Sequence, residues 1–463
     1  MVFRLQIVYI LGALGFLSTS FVDGHYTKFS NDVLQAAQQN PCSLNGDLVE
    51  ELPPFSVHGV EGNHCICDKP WKGVDCGILD VLPVSFPQGY GMLPNKTTWG
   101  ASLLHVSNQF HLFVSSITGD CSLRSWHPNS RIEHAVADTI TGPYQFHDMV
   151  LPTFSHNPKV VALSSKKEED TRLAMFHIGD AMGPDKAKKG DCKKKSITPF
   201  LDTATTINSR TLLDNDQTFQ QETVVGKSSS IHLATSVHGP WTPLLNNTLI
   251  GCNNPAPFVH HPTADNNEPQ QDDSSIEPGI YVVCGRANHS TLMHAQDIWG
   301  PWKTVSQITP FPEDDDTSTT STTSSLHYED PSLYIDPKRG AFHVIYHLYD
   351  TQENPPHGHD CVQSTVSAHV FSSDGIHWYK SLGQPYTTQI PVEDNDSATT
   401  TTTITVATRE RPSLVFDPTT KALTHLITAV CSAENCPDGP PQGCVNCKYD
   451  HWDYTLVQPL NHV

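Results

Sequence analysis

The chain has 463 residues and a formal charge of −21 at pH 7, with 37% hydrophobic and 17% charged residues. That length and apolar fraction suffice for one large domain and a small one, while the acidic balance excludes partners that need a basic face, nucleic acid and anionic membrane surfaces alike. The absence of a Gly-X-Y period or a sustained heptad excludes collagen-like and coiled-coil structure.

At the start, Arg4 precedes the apolar run Ile7 to Leu17, which is followed by small residues ending near Gly24. This is the layout of a secretory signal peptide over residues 1–24. The run is too short to span a bilayer and no later stretch reaches its length, so a secreted, extracellular, soluble protein without a membrane span is expected. Sequons at Asn95, Asn246, Asn288 and Asn395 suit surface loops of a glycoprotein. In an oxidising compartment most of the 13 cysteines should pair, and the odd count leaves one over.

Residues 25–80 contain Asn40-Pro41-Cys42, Asn45-Gly46, then Cys65-x-Cys67, Trp71, Gly73 and Cys76. The set resembles a truncated EGF-like module that lacks the family's first and third cysteines. The resemblance implies the disulfides Cys42–Cys65 and Cys67–Cys76, with Trp71 packed across the terminal hairpin. So short a segment, poor in large apolar side chains, needs such crosslinks. The module reads as a spacer, or as a docking element for a protein partner. Zinc bound by these cysteines is the alternative; for these and for Cys444 and Cys447, disulfides are preferred.

From residue 81 to 463 the sequence predicts short strands and almost no helix. Five apolar strands, such as Phe110 to Ser115 and Phe342 to His347, each follow a strand opened by a polar signature. The signatures are Trp99-Gly-Ala-Ser, His156-Asn-Pro-Lys, Asn253-Asn-Pro-Ala, Glu329-Asp-Pro-Ser and Glu410-Arg-Pro-Ser. A second repeat falls between them: Gly142-Pro-Tyr, Gly239-Pro-Trp, Gly300-Pro-Trp and Gly375-Ile-His-Trp. Together they predict an all-β, five-bladed propeller. A β-sandwich is the alternative, but it has no reason to repeat the second signature. Leu82 to Phe86 and Trp452 to Val457 are expected to close the ring. The acidic, Thr-rich stretches 314–325 and 394–405 read as long mobile loops. Lys186 to Lys195 reads as a solvated basic loop, or else as a grip on an acidic polysaccharide.

The first strand of each blade lines the channel, so the signatures should gather Trp99, Gly100, His156, Asn157, Asn254, Glu329, Asp330, Glu410 and Arg411 around one funnel. Amides, carboxylates, an arginine and an aromatic ring suit a sugar. Residues 90–460 resemble the glycoside hydrolases of family 43, the arabinanases and β-xylosidases. That resemblance implies a carbohydrate-active propeller whose partner is a polysaccharide or other glycan, and in some relatives a calcium ion on the axis. No other cofactor is implied. It also implies a first-blade Asp as base, a second-blade Asp that tunes and orients, and a later Glu as acid. Here Gly100 and Asn157 stand at the first two places, whereas Glu329 and Glu410 match the third. The expected roles are therefore Glu329 or Glu410 as acid and Asp330 as base, with Trp99, His156, Asn157, Asn254 and Arg411 binding substrate. The missing Asp equally fits a carbohydrate-binding or adhesion protein on the same scaffold, and Glu329-Asp330 is alternatively a turn or a partner for Arg411. Nucleophile-elbow, zinc-helix and phosphate-loop motifs are absent. The many histidines, His343, His347 and His425 among them, read as interior or rim residues.

Overall fold

The second strands of the repeats are apolar on both faces because each sheet is sandwiched between two others. In a computed structural model this pattern becomes five four-stranded antiparallel blades. The structure describes residues 42–49, 64–93, 96–163, 172–184, 192, 229–244, 252–261, 276–286, 289–308, 326–350, 366–393, 401–432 and 453–462. The leader, the four sequon asparagines, residues 314–325, Cys444 and Cys447 lie outside the described residues, as does the basic loop apart from Cys192. Among the described residues no helix is long and apolar enough to cross a membrane.

The small N-terminal strands are β1 (Gly46–Val49), β2 (His64–Cys67), β3 (Trp71–Lys72) and β4 (Ile78–Leu79). Blade one comprises β5 (Thr97–Val106), β6 (Gln109–Ile117), β7 (Ser130–Ala137) and β8 (Gln145–Leu151). Blade two comprises β9 (His156–Leu163), β10 (Arg172–Ile178), β11 (Ser229–Ala234) and β12 (Thr242–Pro243). Blade three comprises β13 (Ala256–His260), β14 (Gly279–Arg286), β15 (His289–Ala295) and β16 (Lys303–Ile308). Blade four comprises β17 (Leu326–Asp336), β18 (Ala341–Asp350), β19 (Ser367–Ser372) and β20 (Tyr379–Lys380). Blade five comprises β21 (Gln389–Glu393), β22 (Thr401–Phe416), β23 (Leu423–Ser432) and β24 (Tyr454–Pro459).

The innermost strands touch in a closed circuit: β5 meets β9, then β13, β17 and β22 follow, and β22 meets β5 again. Closure uses the two expected segments. Val81 bridges Leu460 and Tyr90 bridges Thr455, while Val84 between them bridges Val392 of β21, so residues 81–90 link β21 and β24. The Tyr90 hydroxyl then donates to Glu133 Oε2 on β7 at 2.7 Å, which ties this segment to blade one.

The second repeat has a packing reason. Gly142, Gly239 and Gly300 all adopt a positive φ, between 80 and 86°, at the turn of an outer hairpin. The aromatic residue two places on wedges against the preceding blade. Tyr144 joins Val415, Ile427 and Val457 of blade five. Trp241 meets Phe113 of blade one edge-on, and Trp302 meets Phe176 of blade two. Trp378 donates its indole N–H to Ser306 Oγ of blade three at 3.1 Å. Inside three blades, histidines on the second and third strands pair across the ladder: His111 with His134, His177 with His232, and His343 with His369. His343 is thus an interior residue, as expected; His347 and His425 are also buried.

Two expectations change. Residues 401–405 are not loop: they form the first part of β22 and pair with β21 from Gln389 to Glu393. A run of β-branched threonines fits a pleated strand as well as it fits a polar linker. The module bounded by Cys42 and Cys76 is also not a free spacer. Its disulfides are Cys42–Cys65 and Cys67–Cys76, as the resemblance implied. Yet Cys42, Trp71, Cys76 and Leu79 share one apolar cluster with Tyr334, Ile345, Tyr386, Leu426 and Leu460 of blades four and five. Trp71 stacks on His369 at 4.7 Å rather than lying only across its own hairpin. Arg339, in the turn after β17, donates to Asp68 at 2.6 Å and to Asp47 at 2.9 Å. Two further disulfides are present, Cys252–Cys284 within blade three and Cys121–Cys192.

Candidate active site

The five signatures share one backbone conformation. Gly100, Asn157, Asn254, Asp330 and Arg411 all have φ between 49 and 59°, each one residue before the Ala or Pro of its signature. The ladder slips at Trp99/Ala101, Glu329/Ser332 and Glu410/Ser413, which marks bulges in β5, β17 and β22. Proline has no N–H to give the ladder, and Gly, Asn and Asp tolerate the left-handed region. A bulge re-aims the side chain. Repeated around the ring, it turns these residues toward one another.

The contacts are continuous. Asn157 Nδ2 donates to Asn254 Oδ1 at 3.2 Å, and Asn254 Nδ2 donates to Asp330 Oδ1 at 2.8 Å. Arg411 closes the group, its Nη2 donating to Asn254 Oδ1 at 2.7 Å and its Nη1 lying 2.8 Å from Asp330 Oδ1. Gly100 completes the circle by having no side chain: a Cβ there would lie 2.6 Å from Asn157 Oδ1. The position where the resemblance implies a catalytic Asp is therefore built for glycine. Lys159 Nζ donates to the Pro412 carbonyl at 3.1 Å. Burial and the Arg411 charge lower its pKa to about 7.

Asp330, expected as the base, is 4% exposed and committed to Arg411 and Asn254. Burial pushes its carboxyl above the usual range, and Arg411 and Lys159 pull against that. Arg411, expected to bind substrate, is buried in the same pair. The other two carboxylates differ. Glu329 and Glu410 keep side-chain exposures of 34% and 14%, and they flank a single nitrogen, His347 Nδ1, at 4.0 and 3.6 Å. The two nearer carboxyl oxygens are therefore no farther apart than those two distances end to end.

Trp99 is 5% exposed and packs with Leu123, Trp126 and Ala429. Its burial leaves the half-exposed ring of Trp126 as the aromatic nearer solvent. His156 shares a 2.7 Å hydrogen bond with Ser130 Oγ and lies 4.9 Å, centroid to centroid, from Trp126. Burial, Arg411 and His127 hold His156 well below its ordinary pKa, so the ring is neutral. His127 and Phe154 complete the aromatic group at 4.6 Å. Trp126, His127 and the roles of Lys159 and His347 were not legible in the signatures. The only advance sign of the first two was an aromatic pair in the connection between β6 and β7, just after Cys121.

A calcium ion on the axis does not fit these residues. Calcium takes six to eight oxygen ligands, whereas the axial group holds one buried carboxylate already matched by Arg411, with Lys159 beside it. Glu329, Asp330 and His347 bring ligand atoms within 4.8 Å of one another, but an ion there would compete with the guanidinium for Asp330.

No family model matches the sequence, and no curated protein sequence matches it. Among solved structures, a thermostable family-43 glycoside hydrolase is similar at 12% identity and a TM-score of 0.41, covering 82% of this chain and 91% of that one. The exo-β-1,3-galactanase of Phanerochaete chrysosporium, solved with β-1,3-galactotriose, is similar at 10% identity and a TM-score of 0.39; 82% of this chain covers 64% of the galactanase. A family-117 glycoside hydrolase of the marine bacterium Zobellia galactanivorans is similar at 10% identity and a TM-score of 0.41, over 83% of this chain and 90% of that one.

Proposed function

We propose that this is a secreted, carbohydrate-active propeller that hydrolyses a glycosidic bond with Glu329 and Glu410 as its two carboxylates. The observation that carries this reading is their placement: both remain partly exposed and both lie within 4.0 Å of His347 Nδ1, beside a group of buried polar side chains. One carboxyl protonates the leaving oxygen while the other activates water or attacks the sugar. Asp330 and Arg411 act underneath as a fixed ion pair that holds β17 and β22, and so both glutamates, in register. Trp126 offers a face on which a pyranose can stack. Four disulfides support an oxidising compartment. The docked N-terminal module meets β17 at Tyr334, four residues from Asp330, ~13 Å along the strand at about 3.3 Å per residue.

A second reading, glycan binding without turnover, is favoured by Gly100, which leaves no side chain at the first-blade position, and by the commitment of Asp330 to Arg411. A reducing-end assay on arabinan, xylan, galactan and sulfated glycans separates the two. Hydrolysis predicts sugar release that falls ~100-fold or more in Glu329→Gln and Glu410→Gln. Release that persists in both variants removes them from catalysis, and binding without release selects the second reading.

A further inference from the structure

Away from the axis, where blade one meets blade two, histidines converge. His134 on β7 and His147 on β8 place their Nδ1 atoms 2.8 and 3.1 Å from the same oxygen, Asp148 Oδ1. His238, in the turn before Gly239-Pro240-Trp241, comes from blade two. Its ring centroid lies 5.0 Å from that of His147 and 5.5 Å from that of His134. One ring nitrogen of each of the three lies within 4.8 Å of the other two. His134 is buried, whereas His147 and His238 are exposed.

The arrangement has the parts of a transition-metal site. Three imidazoles are borderline-soft donors, suited to zinc, copper or nickel rather than to calcium or magnesium. A carboxylate that takes the Nδ1–H of a ligand histidine fixes its tautomer and leaves Nε2 to bind. In His134 that Nε2 now faces His111 Nδ1 at 2.9 Å, so binding exchanges this contact for a metal bond. Zinc–nitrogen bonds of about 2.0–2.1 Å in a tetrahedral site require ligand atoms somewhat closer than 4.8 Å. The two rings that must move to achieve this are the exposed ones, His147 pivoting on its contact with Asp148. The donors come from two blades, and the turn that carries His238 leads into Trp241, the wedge on Phe113.

We propose that His134, His147 and His238 bind one zinc ion, with Asp148 orienting His134, and that the ion staples blade one to blade two. The site is separate from the axial carboxylates and does not depend on their function. The test uses the whole protein, purified without an affinity tag, stripped with chelator and titrated calorimetrically with zinc alone. One ion per chain is expected, with a thermal midpoint that rises on zinc addition. The exposed pair His147→Ala/His238→Ala should fold, lose binding by at least ~100-fold and show no zinc-dependent rise. Asp148→Asn should weaken binding ~10–100-fold. A control pair at exposed positions elsewhere, His105→Ala/His377→Ala, should keep wild-type affinity. No binding by the wild type, or undiminished affinity in His147→Ala/His238→Ala, would overturn the proposal.

Discussion

Removing the Arg411 guanidinium tests whether the axial group is held as an ion pair. Both partners are almost completely buried, at 4 and 5% side-chain exposure, and 2.8 Å apart. In Arg411→Met the Asp330 carboxylate keeps only Asn254 Nδ2 and the Lys159 charge, and Asn254 Oδ1 loses one of its two donors. Breaking a buried pair from one side costs about 3–5 kcal/mol, because the remaining charge stays desolvated. Asp330→Asn should cost a similar amount, since Arg411 is then left beside Lys159 without its paired carboxylate, only the more distant charges of Glu329 and Glu410 remaining. The double variant Arg411→Met/Asp330→Asn removes both charges, and its loss should fall at least ~2 kcal/mol short of the two single losses combined. The Arg411→Met loss should also depend on pH. An uncompensated buried carboxyl has a folded-state pKa above its unfolded value, so the folded protein binds the extra proton and stability falls as pH rises between the two values. Urea unfolding followed by tryptophan fluorescence, at pH 5 and pH 8, measures all of this. Single losses under ~1 kcal/mol, or a strictly additive double variant, would refute the pairing as the organiser of the ring.

Gly100→Ala should destabilise by about 2–4 kcal/mol, since a β-carbon at φ +53° meets Asn157 Oδ1 at 2.6 Å and forces that buried amide aside; a change under ~1 kcal/mol contradicts the glycine argument. Burial lowers the pKa of His177 and His369 to about 3 and of His232 and His425 to about 4, in His177 with help from the neighbouring His232. The unfolded rings titrate near ~6.5 and so bind more protons below that pH. Stability should therefore fall as pH drops from ~6.5 toward 4, by up to ~1.4 kcal/mol per pH unit for each ring. A thermal midpoint that stays flat from pH 7 to pH 5 would contradict this.

The ring of blades was legible because each blade solves the same problem with the same residues. An inner strand opens on a turn-tolerant residue and Pro, and a glycine places an aromatic wedge against the neighbour. The signatures therefore located Asn157, Asn254, Asp330 and Arg411 in one place. Their shared left-handed backbone was not legible, because an arginine such as Arg411 has no local preference for it and adopts it only with Asp330 and Asn254 to hold its side chain. Nor did spacing separate Asp330 from Glu329. Both carboxylates come near His347, and only the fold shows that Asp330 is tied up by Arg411 and Asn254 while Glu329 stays partly exposed. Trp126 escaped because it belongs to no repeating position, and Lys159 because the last place of its signature holds Ser or Ala in the other four, which gives no sign of a charge there. Trp71 was read within its own module for a related reason: its stacking partner, His369, lies far along the chain.

The most direct test of the account is the structure of the Glu410→Gln protein with an oligosaccharide drawn from whichever polysaccharide it binds. A sugar ring is expected between the Glu329 carboxyl and the amide introduced by the substitution, with its glycosidic oxygen within ~3.2 Å of one of them and a neighbouring ring against Trp126. A glycan bound on another face, with the rim around His347 empty, would contradict it.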